Sequence, residues 1–588
     1  MEKSKNPFDI LVEQRSDFIV LGLTGRTGSG CTTTTTLLDR KINSFPSIQD
    51  LQHVDGYELS SLSQKRYDIA KHYAQKHFPS FLPIKISDLI SAIVIAAPQK
   101  KLVSFVSGVL EEDETKVNAT LEAVNFKSRA KRIARWKAVT DYWLQGGQMP
   151  SASGSDIQKL LIKYKLFSKA FKTQLKCDFE EGAYTKLYQH AGNSIRMHGT
   201  LKPTLDDSFD VKNLLEIPKI IDRVIKSIRR ADKMNQRSTC IVIDAFRNPY
   251  EVRYFKDRYA AFYLMSINAS NEDRVEYLTN VHKFSSQQIK DLDSKESGNW
   301  DLLQDKEQSD LSKSLKLFVQ NVPACLELSD IHLYNPRKEP ENHNALLAQL
   351  AWYISLMQHP GLITPTSMER VMHIAYSAKL NSGCISRQVG AAITNHDYSV
   401  QAIGWNDVAE GQVPCNLRSL KDLNLSFDKV GYSVYERNNK EFRETAQKEY
   451  LSLKPLENEG IHPTYCFKSI QNTVEGEKNQ VHTRSLHAEE NAFLQLTKYG
   501  GSGIKGGKLF TTASPCELCA KKAYQLGIEQ IVFIDPYPGI ARDHILSIGT
   551  NQPTITQFIG AVGDAYHRLY TPLMPMKDEL SLRKMERN

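Results

Sequence analysis

No stretch of this 588-residue sequence is apolar for long enough to cross a bilayer. The strongest run, Leu89 to Ala97, falls far short of the ~20 residues a spanning helix needs, and it reads as core. Nor does a signal-type apolar core with a cleavage site follow Met1-Glu2-Lys3-Ser4-Lys5-Asn6-Pro7, so the expectation is a cytoplasmic chain without a membrane segment. Cysteine is scarce: nine residues, an odd number and widely scattered, exclude a disulfide scaffold and point to reduced thiols. An excess of one charge is missing too. The net +8 attracts phosphate-bearing ligands without demanding a nucleic-acid groove. Residues 45–235 carry no repeat, and the length allows two or three well-buried cores.

Against that ordinary background one constellation stands out: His487-Ala488-Glu489, then Pro515-Cys516-Glu517-Leu518-Cys519 one helix and one strand later. One imidazole and two thiolates make three zinc ligands and leave a fourth tetrahedral position for water, the mark of catalytic rather than structural zinc. Ser485 is expected to cap a helix that carries Leu486, Ala492, Phe493 and Leu496 and stops at Gly500-Gly501, with His487 in its first turn. Lys508 to Thr512 reads as a strand. Ser514-Pro515-Cys516-Glu517 then reads as a capping box opening a second helix, with proline at its first position, before a strand from Gln530 to Ile534. Two helix N-termini converging on one site favour thiolate at Cys516 and Cys519. Glu489 lies two positions from His487, a spacing that does not stack side chains on one helix face, so it is left to move protons. The competing structural reading makes His487 a cap, Glu489 a solvated acid and Cys516/Cys519 a redox pair; the histidine-glutamate pair and the β-α-β context weigh against it.

Near the N-terminus, strand Phe18 to Leu23 runs into Gly25-Arg26-Thr27-Gly28-Ser29-Gly30-Cys31-Thr32 and a helix. That is the form of a P-loop, whose amides cradle phosphates at a helix N-terminus. Cys31 stands where the phosphate-binding lysine belongs, while Thr32 keeps the hydroxyl that would hold magnesium. Strand Cys240 to Ile243 ends in Asp244, placed as a Walker-B acid, and the alternation resembles the nucleotide kinase branch of the P-loop fold, which implies Arg247 and Arg274 as phosphate contacts, with an ordinary surface pair as the alternative for each. Residues 45–235 read as largely helical. Within them the basic stretch Lys127 to Lys137 is either a solvated helix face or a surface for RNA or acidic partners.

The fold class is α/β: a P-loop kinase-like parallel sheet with a helical insertion over 1–335, a linker and connecting helix over 336–365, and an α/β/α domain over 366–588. The third segment opens with the capping box Thr366-Ser367-Met368-Glu369 and a helix through Leu380, then Arg387-Gln388-Val389-Gly390-Ala391-Ala392-Ile393 and a partner strand reaching Gly404-Trp405-Asn406. These motifs and the H-A-E…P-C-x-x-C pair resemble the zinc nucleobase deaminases, and within them the deoxycytidylate deaminases. The resemblance implies that His487, Cys516 and Cys519 hold Zn²⁺ and that Glu489 shuttles protons while water adds to C4 of a cytosine ring. It implies further that Asn406 meets the deoxyribose hydroxyl, Arg387 a phosphate, and Tyr537 the substrate. Segment 407–484 reads as an insertion lining the pocket or an oligomer interface, with Cys415, Cys466 and His482 as an alternative second metal set.

Over nearly its full length the chain resembles the bacterial anti-phage dCTP deaminases. That likeness implies conversion of dCTP and dCMP to dUTP and dUMP, a nucleotide effector with Mg²⁺ in the P-loop domain, an inhibitory small RNA and a homo-oligomer. Rival readings are an editing deaminase acting on RNA or single-stranded DNA and a housekeeping dCMP deaminase serving dTMP synthesis. A nucleotide kinase with a vestigial deaminase domain and a sequestering binding protein also remain. The editing reading needs a basic groove interleaved with aromatics near His487 and Cys516, which the sequence lacks.

Overall fold

The computed structural model describes residues 7–52, 54, 57, 59–206, 208–297, 316–336, 343–425, 428–477, 479–500, 503–535 and 540–585. The chain divides into two compact units, Met1–Thr364 together with Asp564–Asn588, and Pro365–Gly563.

In the first unit, strands β1 (Phe18–Thr24), β2 (Leu82–Lys85), β3 (Thr239–Asp244), β4 (Phe262–Asn268) and β5 (Ile331–Tyr334) pair in the order β5-β4-β1-β3-β2, all parallel. Every residue of β1, β3 and β4 is buried. Their near-continuous apolar sequences are what a parallel sheet covered on both faces requires. Helices fill residues 86–234 between β2 and β3, and their Leu160, Tyr164, Phe167 and Val224 share one core with Ile243, Phe246 and Leu264.

This unit extends beyond the expected 1–335. The helix Asn344–Gln358, expected as a connector, is buried on almost every face. Its Ser355 hydroxyl donates to the Ala70 carbonyl at 3.1 Å, and Gln349 brackets the backbone of Tyr334 at 2.8 and 2.7 Å. An all-round apolar helix belongs in a core rather than a linker. Likewise Arg568 donates to the Phe262 carbonyl at 3.0 Å, and Glu579 meets His359 at 3.0 Å, so the last segment belongs to the first unit rather than to 366–588. Residues 337–342 of the expected linker lie outside the described residues.

In the second unit, β6 (Gly390–Thr394), β7 (Val400–Trp405), β10 (Lys508–Ala513), β11 (Gln530–Asp535) and β12 (Thr554–Gln557) pair in the order β12-β11-β10-β6-β7; a two-strand ladder joins β8 (Asp407–Val408) to β9 (Ser485–Leu486). β10, β11 and β12 are mutually parallel, whereas β6 is antiparallel to β10 and to β7. Side chains alternate across this sheet. Ala392, Phe510 and Val532 meet Val371, Met372 and Ala375 of helix Ser367–Ala378, while Ala391, Leu509 and Ile531 meet Ala488, Ala492, Ala520 and Ala523 on the other face. The α/β/α sandwich expected from the sequence is present, and the Thr366/Glu369 capping box forms. No helix among the described residues is long and apolar enough to cross a membrane.

The 407–484 insertion builds a satellite core from Leu420, Leu423, Tyr432, Phe442, Ala446, Tyr450 and Tyr465. Inside it Arg418 and Glu436, each 1% exposed, form an ion pair that Tyr465 closes by donating to Glu436 Oε1 at 2.7 Å. Burial alone would push the Glu436 carboxyl up; Arg418 and the Tyr465 hydroxyl outweigh it and hold it below the ordinary range. Breaking a buried pair from one side costs about 3–5 kcal/mol. Arg418→Met is therefore expected to raise hydrogen exchange throughout the insertion, and protection equal to wild type would contradict that.

Candidate active site

Two helices carry the site. Helix Ala488–Tyr499 turns Ala488 and Ala492 onto the sheet, and Gly404 of β7 lets the two backbones touch: a Cβ there would sit 2.3 Å from the Ala488 carbonyl oxygen. Its end is Gly500, at φ +74°, as the sequence implies. The helix starts are displaced from expectation. Ser485 is not the cap, because Ser485-Leu486 is drawn into β9 against β8, and His487 occupies the N-cap. Ser514 forms no capping box either: Cys516 is the N-cap of helix Glu517–Gln525. The His487 side chain makes no capping hydrogen bond to its own helix, and the Cys516 side chain faces Cys519 one turn on, so the imidazole and both sulfurs lie at the N-terminal ends.

Those side chains meet. Cys516 Sγ lies 3.3 Å and Cys519 Sγ 3.4 Å from His487 Nδ1, and the three donor atoms all fall within 4.8 Å of one another. A tetrahedral angle between a ~2.3 Å Zn–S bond and a ~2.0 Å Zn–N bond separates sulfur and nitrogen by about 3.5 Å, so the donor set fits zinc with one position left over. Hydrogen bonds from Cys519 and His487 hold the Cys516 thiol down to about 3, and Cys519, sharing its proton with that thiolate, is pushed up. The hydrogen bond to Cys516 raises His487.

Glu489 is 4% exposed, and burial pushes its carboxyl up. Its Oε1 lies 3.2 Å from the Thr511 hydroxyl, which is also 2.7 Å from the Ala513 carbonyl. A hydroxyl has one proton. Once protonated, Glu489 can donate to Thr511 while Thr511 donates onward to Ala513, so both carboxyl states have a partner. Thr511 escaped the sequence reading, since a threonine in an apolar strand carries no distinguishing signal.

The β6–β7 hairpin adjoins this helix. Asn491 Nδ2 donates to the Trp405 carbonyl at 3.0 Å, one residue before Asn406. Asn406 accepts from Val389 N–H at 2.6 Å and donates to the Arg387 carbonyl at 2.8 Å, pinning the turn that carries Arg387. Arg387 in turn pairs with the buried Asp535 at 2.5 Å. Tyr537 lies outside the described residues. Cys415 and Cys466 line one small cavity but form no metal-donor group with His482, which pairs with Glu475 at 2.8 Å; among the described residues, the His487-Cys516-Cys519 set is the single group of three potential metal donors.

Residues 365–535 match the model of the cytidine and deoxycytidylate deaminase zinc-binding region. The second unit carries a deaminase domain. The deoxycytidylate deaminases of Enterobacteria phages T2 and T4 are 28% and 27% identical to this chain, each over 28% of its length and over 79% and 77% of their own. A crystal structure of dCMP deaminase from cyanophage S-TIM5 in complex with dCMP and dUMP is 21% identical over 33% of this chain and 99% of that one, with a TM-score of 0.21, too low to bear on the fold.

Outside the deaminase domain, the glycine loop of the first unit also comes together. Gly28 and Gly30 take φ of +92° and +120°, conformations that favour glycine, and helix Cys31–Asp39 begins directly after them. The Thr32 hydroxyl donates to Asp244 Oδ2 at 3.2 Å, and Lys85 Nζ approaches the same oxygen at 3.6 Å. Gly25 stands at the loop's start, with Ile267 O 2.5 Å from where its Cβ would be, and the Ser29 carbonyl accepts from Asn335 at 2.7 Å. Arg26, Thr27, Cys31, Thr32, Asp244 and Arg247 line a cavity of about 460 Å³.

Proposed function

We propose that the deaminase domain hydrolyses the amino group of deoxycytidine nucleotides, dCMP and dCTP, to give dUMP or dUTP and ammonia. The observation that carries this is the convergence of His487, Cys516 and Cys519 beside the buried carboxyl of Glu489. Zinc, when held by those three residues, supplies the acidity that makes water a nucleophile near neutral pH. Glu489 does the proton work: it takes the proton shed as water adds to C4 and returns it so that ammonia leaves. Its raised affinity for protons suits that exchange. Asn406 and Arg387, joined by the hydrogen bond from the Asn406 side chain to the Arg387 carbonyl, are assigned to the deoxyribose hydroxyl and the phosphate, with Asp535 holding the guanidinium ready. Tyr537 is assigned as a further substrate contact.

The first unit is read as P-loop kinase-like and regulatory. Its loop, Gly25 to Thr32 with Asp244, takes a nucleotide with Mg²⁺ as effector, and Cys31 in place of lysine argues against phosphoryl transfer. In that reading the enzyme is a cytoplasmic homo-oligomer that depletes the deoxycytidine nucleotide pool during phage infection and is restrained by a small RNA. The names of the phage T2 and T4 relatives support the substrate class.

Purified protein incubated with dCMP, dCTP, CMP, CTP and cytosine-containing oligonucleotides, with products resolved by chromatography, tests this. The expected result is conversion of dCMP and dCTP alone. Turnover of dCMP without dCTP would remove the pool-depletion reading and leave a housekeeping dCMP deaminase; conversion of oligonucleotide without free nucleotide would overturn the assignment.

A further inference from the structure

Glu296 ends helix Ser286–Glu296 and is 2% exposed, an unusual place for a carboxylate unless it has strong partners. Its partners come from the glycine loop. Glu296 Oε2 accepts from the Thr27 backbone N–H at 3.1 Å; Oε1 accepts from the Thr27 hydroxyl and pairs with Arg247. One turn earlier, Asp293 Oδ2 lies 2.7 Å from both Arg26 and Arg274. Spacing of three places both acids on one face of the helix.

A loop amide, a loop hydroxyl and three guanidinium groups are thus turned toward two carboxylates. These are the donor types that recognise phosphate oxygens, and an arginine fork accepts carboxylate and phosphate alike. The missing lysine sharpens the point. With Cys31 at its position, three of the cations around this loop, Arg26, Arg247 and Arg274, are paired with acids of helix Ser286–Glu296. The adjoining cavity of about 460 Å³, which Arg26, Thr27 and Arg247 border together with Thr32, Lys172 and Tyr184, is of the size that holds a nucleoside.

We propose that helix Ser286–Glu296 is a built-in plug of the phosphate site, with Glu296 and Asp293 standing where two phosphates of a nucleoside di- or triphosphate would stand. Helix docking and polyphosphate binding are then mutually exclusive. This rests on the reading of the glycine loop as a phosphate site and adds what holds it shut. Because a ligand sees only the undocked fraction, the plug weakens apparent affinity by that fraction and sets the concentration at which the effector acts. Two anion positions also select against a nucleoside monophosphate.

The test uses the full chain. Inorganic tripolyphosphate, ATP and AMP are titrated calorimetrically into wild type and into the double variant Asp293→Asn/Glu296→Gln, and amide exchange over residues 286–297 is followed in wild type with and without tripolyphosphate. The expected results are binding of tripolyphosphate and ATP but not AMP, about tenfold or more tighter in the double variant, and faster exchange across 286–297 in wild type once either polyphosphate is bound. Tighter ATP than tripolyphosphate binding would add a nucleoside contact in the cavity to the plug. If both proteins bind equally and 286–297 keeps its protection, the plug is wrong while the phosphate site stands. If neither protein binds any probe, the phosphate site itself is wrong and the plug falls with it. Should the double variant fail to fold, unchanged exchange in wild type carrying bound polyphosphate overturns the proposal by itself.

Discussion

Glu489→Gln is expected to lower kcat for deamination by about 10²–10⁴-fold, the range a positioned proton carrier supplies, while zinc content stays at the wild-type level. Glutamine keeps the size of the side chain and an oxygen for the Thr511 hydroxyl, which lies 3.2 Å from Glu489 Oε1, so the pocket has no cause to collapse. What it loses is a group able to take up a proton and give it back. The three proposed metal donors, His487, Cys516 and Cys519, are unaltered, so metal analysis separates this variant from one that has merely lost its zinc. Single-turnover rates with dCMP, alongside metal quantification, make the measurement. Turnover within about threefold of wild type would remove Glu489 from its role.

Gly404→Ala should be nearly as damaging, for a reason unrelated to protons. The new methyl would stand 2.3 Å from the Ala488 carbonyl oxygen and 2.5 Å from the Ala492 nitrogen, both backbone atoms of the helix behind His487. No rotamer relieves a backbone clash, so helix Ala488–Tyr499 must retreat from β7. Overpacking of this kind costs about 3 kcal/mol, the upper part of its usual range. The larger effect falls on the site, because a displacement near 1 Å at reacting groups costs on the order of 100-fold in rate. Thermal denaturation and kcat/KM of Gly404→Ala, set beside Gly503→Ala, where nothing lies within 4 Å of the added carbon, isolate the cause. Equal behaviour of the two variants would refute it.

The convergence of His487, Cys516 and Cys519 was legible because residue type and spacing, which the chain carries locally, imply it. The strands of the deaminase domain were legible as short apolar runs such as Ala391-Ala392-Ile393, but which side chain goes to which covered face was not, because all three are apolar. Helix starts were less so. Serine is the statistical favourite at an N-cap, yet Ser485 is claimed by a strand and the caps are His487 and Cys516, whose side chains turn to each other. The partners of charged groups were not legible at all. Arg387 with Asp535, Arg418 with Glu436 and Thr27 with Glu296 join residues far apart in sequence, and nothing local marks one acid over another. The extent of the first unit was hidden likewise, because a connecting helix and a core helix share the same apolar composition until their neighbours are known.

The interrupted course of the first unit bears on how the protein is made. Its two pieces, Met1–Thr364 and Asp564–Asn588, are separated by the whole of Pro365–Gly563. At ~5–20 residues per second, a ribosome spends on the order of tens of seconds on that intervening stretch. Throughout that time the Phe262 carbonyl lacks Arg568 and His359 lacks Glu579. The deaminase unit emerges entire before the first unit can close its core. A nascent chain therefore holds a complete deaminase sequence while its partner unit is still unfinished.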